Sequence, residues 1–197
     1  MKHASLLLVT PIVTLLLAST RAQDVEFIRA LEGAQAERPP TIESGARIAP
    51  ESEPGTPLVI HGRVLAEDGR TPLRDAIVFA YHTDREGLYA RPGAPPHSWR
   101  LRGWVKAGAD GRFEFHTIRP GSYPSGSQAA HVHFTVFTDE ARYHGGALEF
   151  DDDPLIDARD RARPNASGEF GTIRRVRREG NVQHVDFNIR VQSRHRF

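Results

Sequence analysis

The chain predicts an all-β fold: an antiparallel β-sandwich with long loops and a short N-terminal helix at most. Three observations carry that expectation. From Pro57 onward, apolar residues fall in short runs that alternate with polar ones, the two-residue period of a pleated strand with one buried face. Asp68-Gly69 and Asp110-Gly111 punctuate those runs with residues suited to tight turns. No long amphipathic helix lies between the runs, which argues against βαβ units and a parallel sheet.

Residues 1–22 read as an export signal. Lys2 supplies a short positive flank, Leu6 to Ala18 is apolar apart from Thr10, Pro11 and Thr14, and small residues precede a cleavage point after Ala22. The apolar run of about thirteen residues is short for a membrane span, which needs about twenty. The expected product is therefore soluble and secreted or periplasmic, touching membrane only through this segment. Residues 23–56 form an extension. Val25, Phe27, Ile28 and Leu31 give one short apolar helical face that stops before Pro39-Pro40. Thr41 to Thr56, rich in Pro, Gly, Ser and Glu, reads as a linker or surface strap.

The domain proper spans 57–197. "LVIHGRVLAEDGRTPLRDAIVFAYHT" is two β-rich runs read as a hairpin around Asp68-Gly69, and "WVKAGADGRFEFHTI" repeats the arrangement around Asp110-Gly111. "AHVHFTVF" and "VQHVDFNIRV" add two alternating strands, the last burying Val185, Phe187, Ile189 and Val191 on one face. No internal repeat is present. At 197 residues the chain has room for a single domain with a sizeable core.

Composition excludes several classes. Lys and Arg total 26 against 25 acidic residues, so no long-range field favours nucleic acid or an anionic surface. The absence of cysteine removes disulfides, thiol nucleophiles and thiolate metal sites, leaving His, Asp, Glu and Tyr as ligands. Asn165-Ala166-Ser167 matches a glycosylation acceptor, a pattern of low specificity. The acidic turn Asp151 to Asp153 and the basic run Arg174 to Arg178 read as solvated surface and receive no functional role.

Chemistry gathers around "GSQAAHVHFTVF". His131 and His133 point to one side of a strand, with Val132, Phe134 and Val136 on the other. That face holds either a metal or two solvated imidazoles. Tyr123, between Gly121 and Pro124, lies eight residues before His131, and Tyr89 lies upstream in "YHTDREGLYARPG". A lone loop tyrosine is ordinarily a packing residue. The combination is more specific.

The chain resembles the intradiol ring-cleavage dioxygenases, the catechol and protocatechuate family that uses non-haem Fe(III). "IHGRVLAEDGRTPLRDAIVFAYHTDREGLY" is similar to the family's first strands, "GRFEFHTIRPGSYP" to its most recognisable segment, "AHVHF" to its paired histidines and "ALEFDDDPLI" to the strand and acidic turn that follow. The likeness covers roughly Leu58 to Leu155 and the closing "VDFNIRV". It implies an iron site of Tyr89, Tyr123, His131 and His133, Fe(3+) as cofactor, and a small aromatic diol and O2 as substrates. It also implies that Tyr123 is the ligand that a catechol displaces, and that the product is a muconate-type dicarboxylic acid. The physical chemistry agrees: a phenol titrates near about 10, so only a strongly Lewis-acidic ion keeps two of them ionised at neutral pH.

Departures fall near the substrate. The family carries an arginine three residues before the first histidine, where it stabilises charge developing on the ring; here that position is Gln128, which donates a hydrogen bond without charge. Gln128 is thus the expected catalytic and substrate-binding substitute, with Arg102 as a substrate-binding candidate. Arg119 is a second arginine with the reach to turn inward, although an arginine at either place ordinarily lies solvated at the surface. The short connection from Tyr123 to His131 removes pocket wall and favours larger aromatics. Two rivals remain. A non-catalytic transthyretin-like or carboxypeptidase-regulatory-like sandwich shares the "GRVLAEDGRTPLRDAIVFAY" pattern, and a zinc hydrolase would use the histidines. The two-histidine, one-carboxylate site of Fe(II) oxygenases has no Asp or Glu on the histidine strand and would need Glu114 or Glu149 to fold near.

Overall fold

The structure, a computed structural model, describes residues 25–94 and 98–197. The expected export signal lies outside the described residues. Two compact units divide the chain, one ending at Arg38 and the other spanning Pro39–Phe197. In the first, α1 covers residues 25–36; Leu31 and Ala34 are buried, Phe27 and Ile28 half-buried, and Val25 at the helix start is exposed.

The second unit is a two-sheet sandwich. One sheet runs β1 (Gly45–Arg47), β5 (Arg112–Ile118), β2 (Pro57–Leu65), β10 (Val182–Asp186), β9 (Arg177–Glu179), with β11 (Ile189–Arg190) also pairing with β2. The other runs β4 (Leu101–Lys106), β3 (Ile77–His82), β6 (His131–Phe137), β7 (Arg142–Phe150), β8 (Ile173–Arg174). Between them Ile60, Val64, Phe115 and Val185 of the first meet Val78, Val105, Val132 and Leu148 of the second. Each such side chain, fully buried, contributes roughly 1.5–3 kcal/mol. The alternation expected for the closing strand is observed: Val185, Phe187, Ile189 and Val191 are all buried. The run breaks at Phe187–Asn188, where the Asn188 side chain accepts the Arg63 N–H at 3.1 Å and keeps the segment beside β2.

The Asp-Gly stretches are turns, but not the hairpins that the sequence suggested. The strands flanking Asp68-Gly69, β2 and β3, lie in different sheets, and so do β4 and β5, which flank Asp110-Gly111. The local chemistry is that of tight turns: Asp68 accepts the N–H groups of Arg70 and Thr71, and Gly69 has φ 68°. Turn chemistry does not choose the partner. Each flanking strand carries an apolar face, and crossing to the opposite sheet buries both faces against one another. The antiparallel partners are β2 with β5, in register Ile60↔Phe115, and β3 with β4, in register Tyr81↔Arg102. The sheets are also mixed. β10 lies parallel to β2, and β1 parallel to β5, because the chain rejoins this sheet only after long excursions. Through β1 the segment read as a strap or linker becomes an edge strand, so sheet structure begins before Pro57.

Two strands position the chemistry. On β6, Val132, Phe134 and Val136 face the core and His131 and His133 face away; on β3, Val78 and Ala80 face the core and Phe79 and Tyr81 face away. Loop residues Tyr89, Trp99 and Tyr123 pack over this outer face, through ring contacts to Tyr81, His133 and His131. His82, at the end of β3, bridges the sheets. Its Nδ1–H donates to the Thr83 carbonyl at 2.6 Å, so Nε2 accepts the Thr117 hydroxyl, also at 2.6 Å.

Burial pushes the His82 imidazole down from 6.5 to about 4. Between those values the unfolded chain binds a proton that the folded chain excludes, so stability rises with pH across this window and the contribution is complete above 6.5. Urea unfolding should show a loss of about 3 kcal/mol attributable to His82 as pH falls from 6.5 to 4. His82→Gln should flatten the slope by that amount; an unchanged slope would show that His82 titrates normally in the fold.

Candidate metal centre

His131 and His133 leave β6 on its outer face with their Nε2 atoms 2.9 Å apart. Tyr123 Oη lies 3.0 Å from His131 Nε2 and 2.7 Å from Tyr89 Oη. The four side chains thus make an unbroken run of touching donor atoms, Tyr89, Tyr123, His131, His133. Two ligands about 2.0–2.1 Å from one ion and at right angles stand roughly 2.8–3.0 Å apart, so the spacings suit neighbouring positions around a single ion. Among the described residues no three His, Asp or Glu side chains converge to hold a metal. The tyrosines complete this donor set.

Protonation favours a cation here. His131 Nδ1 lies 2.7 Å from the Ala129 carbonyl, to which it donates, leaving a lone pair on Nε2. Burial, with His131 alongside, pushes His133 down to about 3, so its imidazole is neutral. Burial, then the hydrogen bond with Tyr123, holds the Tyr89 hydroxyl well above the ordinary phenol range. Without a cation Tyr89 stays protonated.

The tyrosines sit on loops, and backbone contacts fix those loops together. The Asp84 carboxylate accepts the Glu86 and Leu88 N–H groups at 3.1 and 2.9 Å, closing the turn before Tyr89. The Asp84 carbonyl accepts the N–H groups of Gly87 and Gly121 at 3.0 and 2.8 Å, and the Thr83 hydroxyl donates to the Gly121 carbonyl at 2.8 Å. A Cβ on Gly87 would stand 2.0 Å from the Ser122 carbonyl oxygen, and one on Gly121 2.3 Å from that of Arg85. Only glycine permits this approach; Gly87 also has φ 82°. Arg100 grips Glu53 at 2.6 and 2.7 Å and reaches Asp84 at 3.2 Å, while its N–H donates to the Tyr89 carbonyl at 2.8 Å. Behind the donors, Tyr81 stacks between Trp99 and His133, with ring centroids 4.0 and 4.8 Å away.

A family model described as Dioxygenase matches residues 33–193. Catechol 1,2-dioxygenase 1 of Acinetobacter lwoffii is 30% identical over 205 residues, covering 89% of this chain and 65% of the relative. The beta chain of protocatechuate 3,4-dioxygenase from Burkholderia cepacia is 33% identical over 117 residues, 52% of this chain and 48% of its own. The chain belongs to the intradiol ring-cleavage dioxygenase family. It spans 65% and 48% of the length of two Acinetobacter lwoffii catechol 1,2-dioxygenases. The fold agrees. The dioxygenase domain of a dioxygenase carbohydrate-binding fusion from Streptomyces sp. SirexAA-E superposes with a TM-score of 0.59 at 24% identity, covering 78% of this chain and 91% of that one. An intradiol ring-cleavage dioxygenase from Tetranychus urticae gives 0.58 at 18%, covering 81% and 91%. The transthyretin-like rival is not favoured.

Other expected residues of this intradiol family member fall elsewhere. Gln128 is exposed on the Tyr123 loop, outside the run of donors. Arg102 lies opposite Tyr81 on β4, and its guanidinium donates to the Trp99 carbonyl, so it supports the aromatic wall. Arg119 does not reach inward: it lies 3.8 Å over the Phe150 ring and pairs with Asp152 at 2.9 Å. Glu114 is on the other sheet with His61 and His116. Glu149 stands opposite His131, but its carboxylate is committed to Arg163 and Thr172.

The acidic turn is structural rather than merely solvated. Asp153 is buried and accepts the Ala130 N–H at 3.1 Å, fixing the residue before His131, and Asp152 pairs with Arg178 at 2.7 Å. Among the described residues of the basic run, Arg178 alone forms an ion pair with this turn, while Arg174 and Arg177 reach Asp186. Sequence reasoning missed Tyr81, Trp99 and the Asp84–Arg100–Glu53 network. Tyr81 had a signal, its outward parity on β3; the network joins residues far apart in sequence and had none.

Replacing Gly87 by Ala forces a side chain into the Ser122 carbonyl and strains a positive φ, costing on the order of 1–3 kcal/mol. The variant should fold with reduced stability by thermal melting and retain little metal by elemental analysis. Native metal content would show that the loop contact does not position Tyr89 and Tyr123.

Proposed function

We propose that the chain is an exported non-haem Fe(III) intradiol dioxygenase that inserts O2 between the hydroxylated carbons of catechol-type rings, yielding muconate-type dicarboxylic acids. The observation that carries this reading is the donor run at 2.7, 3.0 and 2.9 Å, in a chain of this family. The set fits a ferric ion: two phenol oxygens match a hard, highly charged cation, and two neutral imidazoles add donors without adding charge. Tyr89, Tyr123, His131 and His133 would hold it. When bound, the ion supplies Lewis-acid activation of a chelating diol towards dioxygen.

The chain's own residues do the rest. Tyr123 occupies the middle of the run on a loop, so its phenol oxygen is the base placed to take a proton from an arriving diol hydroxyl. Tyr89 Oη, 2.7 Å away, remains a hydrogen-bond partner for the phenol so formed. Tyr89, anchored through its carbonyl to Arg100, and both histidines stay in place throughout. Buried Tyr81 and Trp99 keep water from the side of His133. Gln128 offers no charge to an electron-rich ring, and its exposure leaves an open approach for larger diols. Lys2 and the apolar run from Leu6 to Ala18 support export to a secreted or periplasmic location. Among the described residues no helix is long and apolar enough to cross a membrane.

Alanine at His131 or His133 should abolish iron retention, whereas Tyr89→Phe should weaken it and move the visible charge-transfer band, because one phenolate is lost. Elemental analysis and absorption spectra test this; full iron and an unchanged band in Tyr89→Phe would exclude that tyrosine as a ligand.

At Gln128 the expected gain runs the other way. Arginine there adds a longer, charged side chain to the Tyr123 loop and should raise turnover of simple catechols about tenfold, roughly 1.4 kcal/mol of transition-state stabilisation. Oxygen uptake across a panel of catechols is the measurement. No uptake by either iron-loaded protein, with any catechol, would end the dioxygenase reading.

A further inference from the structure

We propose that a cleft at the bulged end of β6 and β7, separate from the four donors, binds a small organic carboxylate. The cleft, about 490 Å³, lies where Gly145-Gly146, residues 164–172 and residues 187–195 meet. That volume is in the range of small-molecule sites. Neither the tyrosines nor the histidines of the donor run line it.

Its charge is unbalanced. Among the described lining residues, Arg190 and Arg194 face one carboxylate, Glu169, which already accepts the Asn188 amide at 3.3 Å. Arg190 lies over the Phe170 ring, 4.9 Å from its centroid, and its Nε is buried with no hydrogen-bond partner. A buried guanidinium N–H without an acceptor is a defect that an incoming anion would relieve. Arg194 gives one N–H to Gln192 at 3.0 Å and is otherwise exposed to the cleft mouth. Burial and these two guanidiniums depress His195 below the ordinary imidazole range, which fits an excess of positive charge at this spot.

The floor selects the anion. Phe170, Phe187, Ile189 and Pro164 give the cleft apolar surface beside the cations. A carboxylate on a flat apolar body satisfies both, since the guanidinium fork matches its two oxygens and the body covers the rings. Inorganic phosphate satisfies only the first. Phe187 stacks on Phe134 at 4.9 Å, and Phe134 follows His133, so the cleft shares a strand with the donors while presenting different residues.

Isothermal titration of the full chain without added metal tests this, with benzoate as probe and benzyl alcohol and inorganic phosphate as comparators. Benzoate should bind saturably at one site, each comparator at least about tenfold more weakly. Arg194→Gln, at an exposed position, and Arg190→Gln should each weaken benzoate about tenfold, and Arg190→Lys less. Three outcomes overturn the proposal: no saturable binding up to about 10 mM, affinity untouched by either glutamine variant, or a comparator that equals benzoate. Benzoate binding lost in His131→Ala but kept in both arginine variants counts with the second. Because no metal is used, the result stands apart from the dioxygenase test.

Discussion

Two backbone segments touching where no side chain fits hold the candidate centre together. Gly87 and Gly121 bring the Tyr89 and Tyr123 loops into carbonyl contact, and neither tyrosine rests on a strand that could place it. Strand residues such as His131 and His133 inherit their positions from the ladder. Loop residues need another source of order, and here it is Asp84. Its carboxylate closes its own turn, its carbonyl accepts from both glycines, and its second oxygen takes Arg100. Arg100 in turn draws in Glu53 from the segment before β2, so a stretch that looks like a tether braces the Tyr89 loop.

The electrostatics of the donors point the same way. Four polar side chains meet on a largely buried face, and the groups that resist ionisation do so because burial disfavours charge: Tyr89 upward, His133 downward. Tyr81 adds a third buried phenol, also pushed upward by burial. Left alone, Tyr89 and His133 stay neutral. A strong cation changes the balance, because it favours phenolate oxygen and imidazole lone pairs together. The aromatic stack Trp99, Tyr81, His133 restricts the ring of one donor before any ion arrives, which lowers the ordering cost of binding.

Period-two alternation made the strands legible: which residues of β6 face the core and which face out followed from parity alone. Partnership was less legible. Asp68-Gly69 and Asp110-Gly111 specify a change of direction and say nothing about which sheet receives the next strand; burial of two apolar faces decided that. Tyr123, His131 and His133 lie close in sequence and could be proposed together; Tyr89, further upstream, was noted beside them, but its part as a ligand came from resemblance to a family. Arg119 and Asp153 misled because a charged residue in a Pro- or Asp-rich turn looks solvated. In the fold both are largely buried, Arg119 against Phe150 and Asp153 under the Ala130 N–H, since each found an opposite charge or a backbone donor.

A comparison within the molecule explains why a cluster of histidines is not by itself a metal site. On the outer face of the other sheet His184, His61, Glu114 and His116 also form a hydrogen-bonded run, with contacts of 3.2, 2.9 and 2.6 Å. The spacings resemble those of the first run, yet the topology differs. His61 uses Nε2 toward His184 and Nδ1 toward Glu114, and Glu114 uses one oxygen for each neighbour, so the run passes through the bodies of its residues and its lone pairs diverge. In the first run single atoms serve both neighbours: Tyr123 Oη touches Tyr89 and His131, and His131 Nε2 touches Tyr123 and His133. Donor atoms that touch one another in sequence can curve around a common point; the two ring nitrogens of one imidazole, such as His61, cannot both face it. The difference lies in which atom each side chain presents, and that depends on the loops that carry the tyrosines over β6.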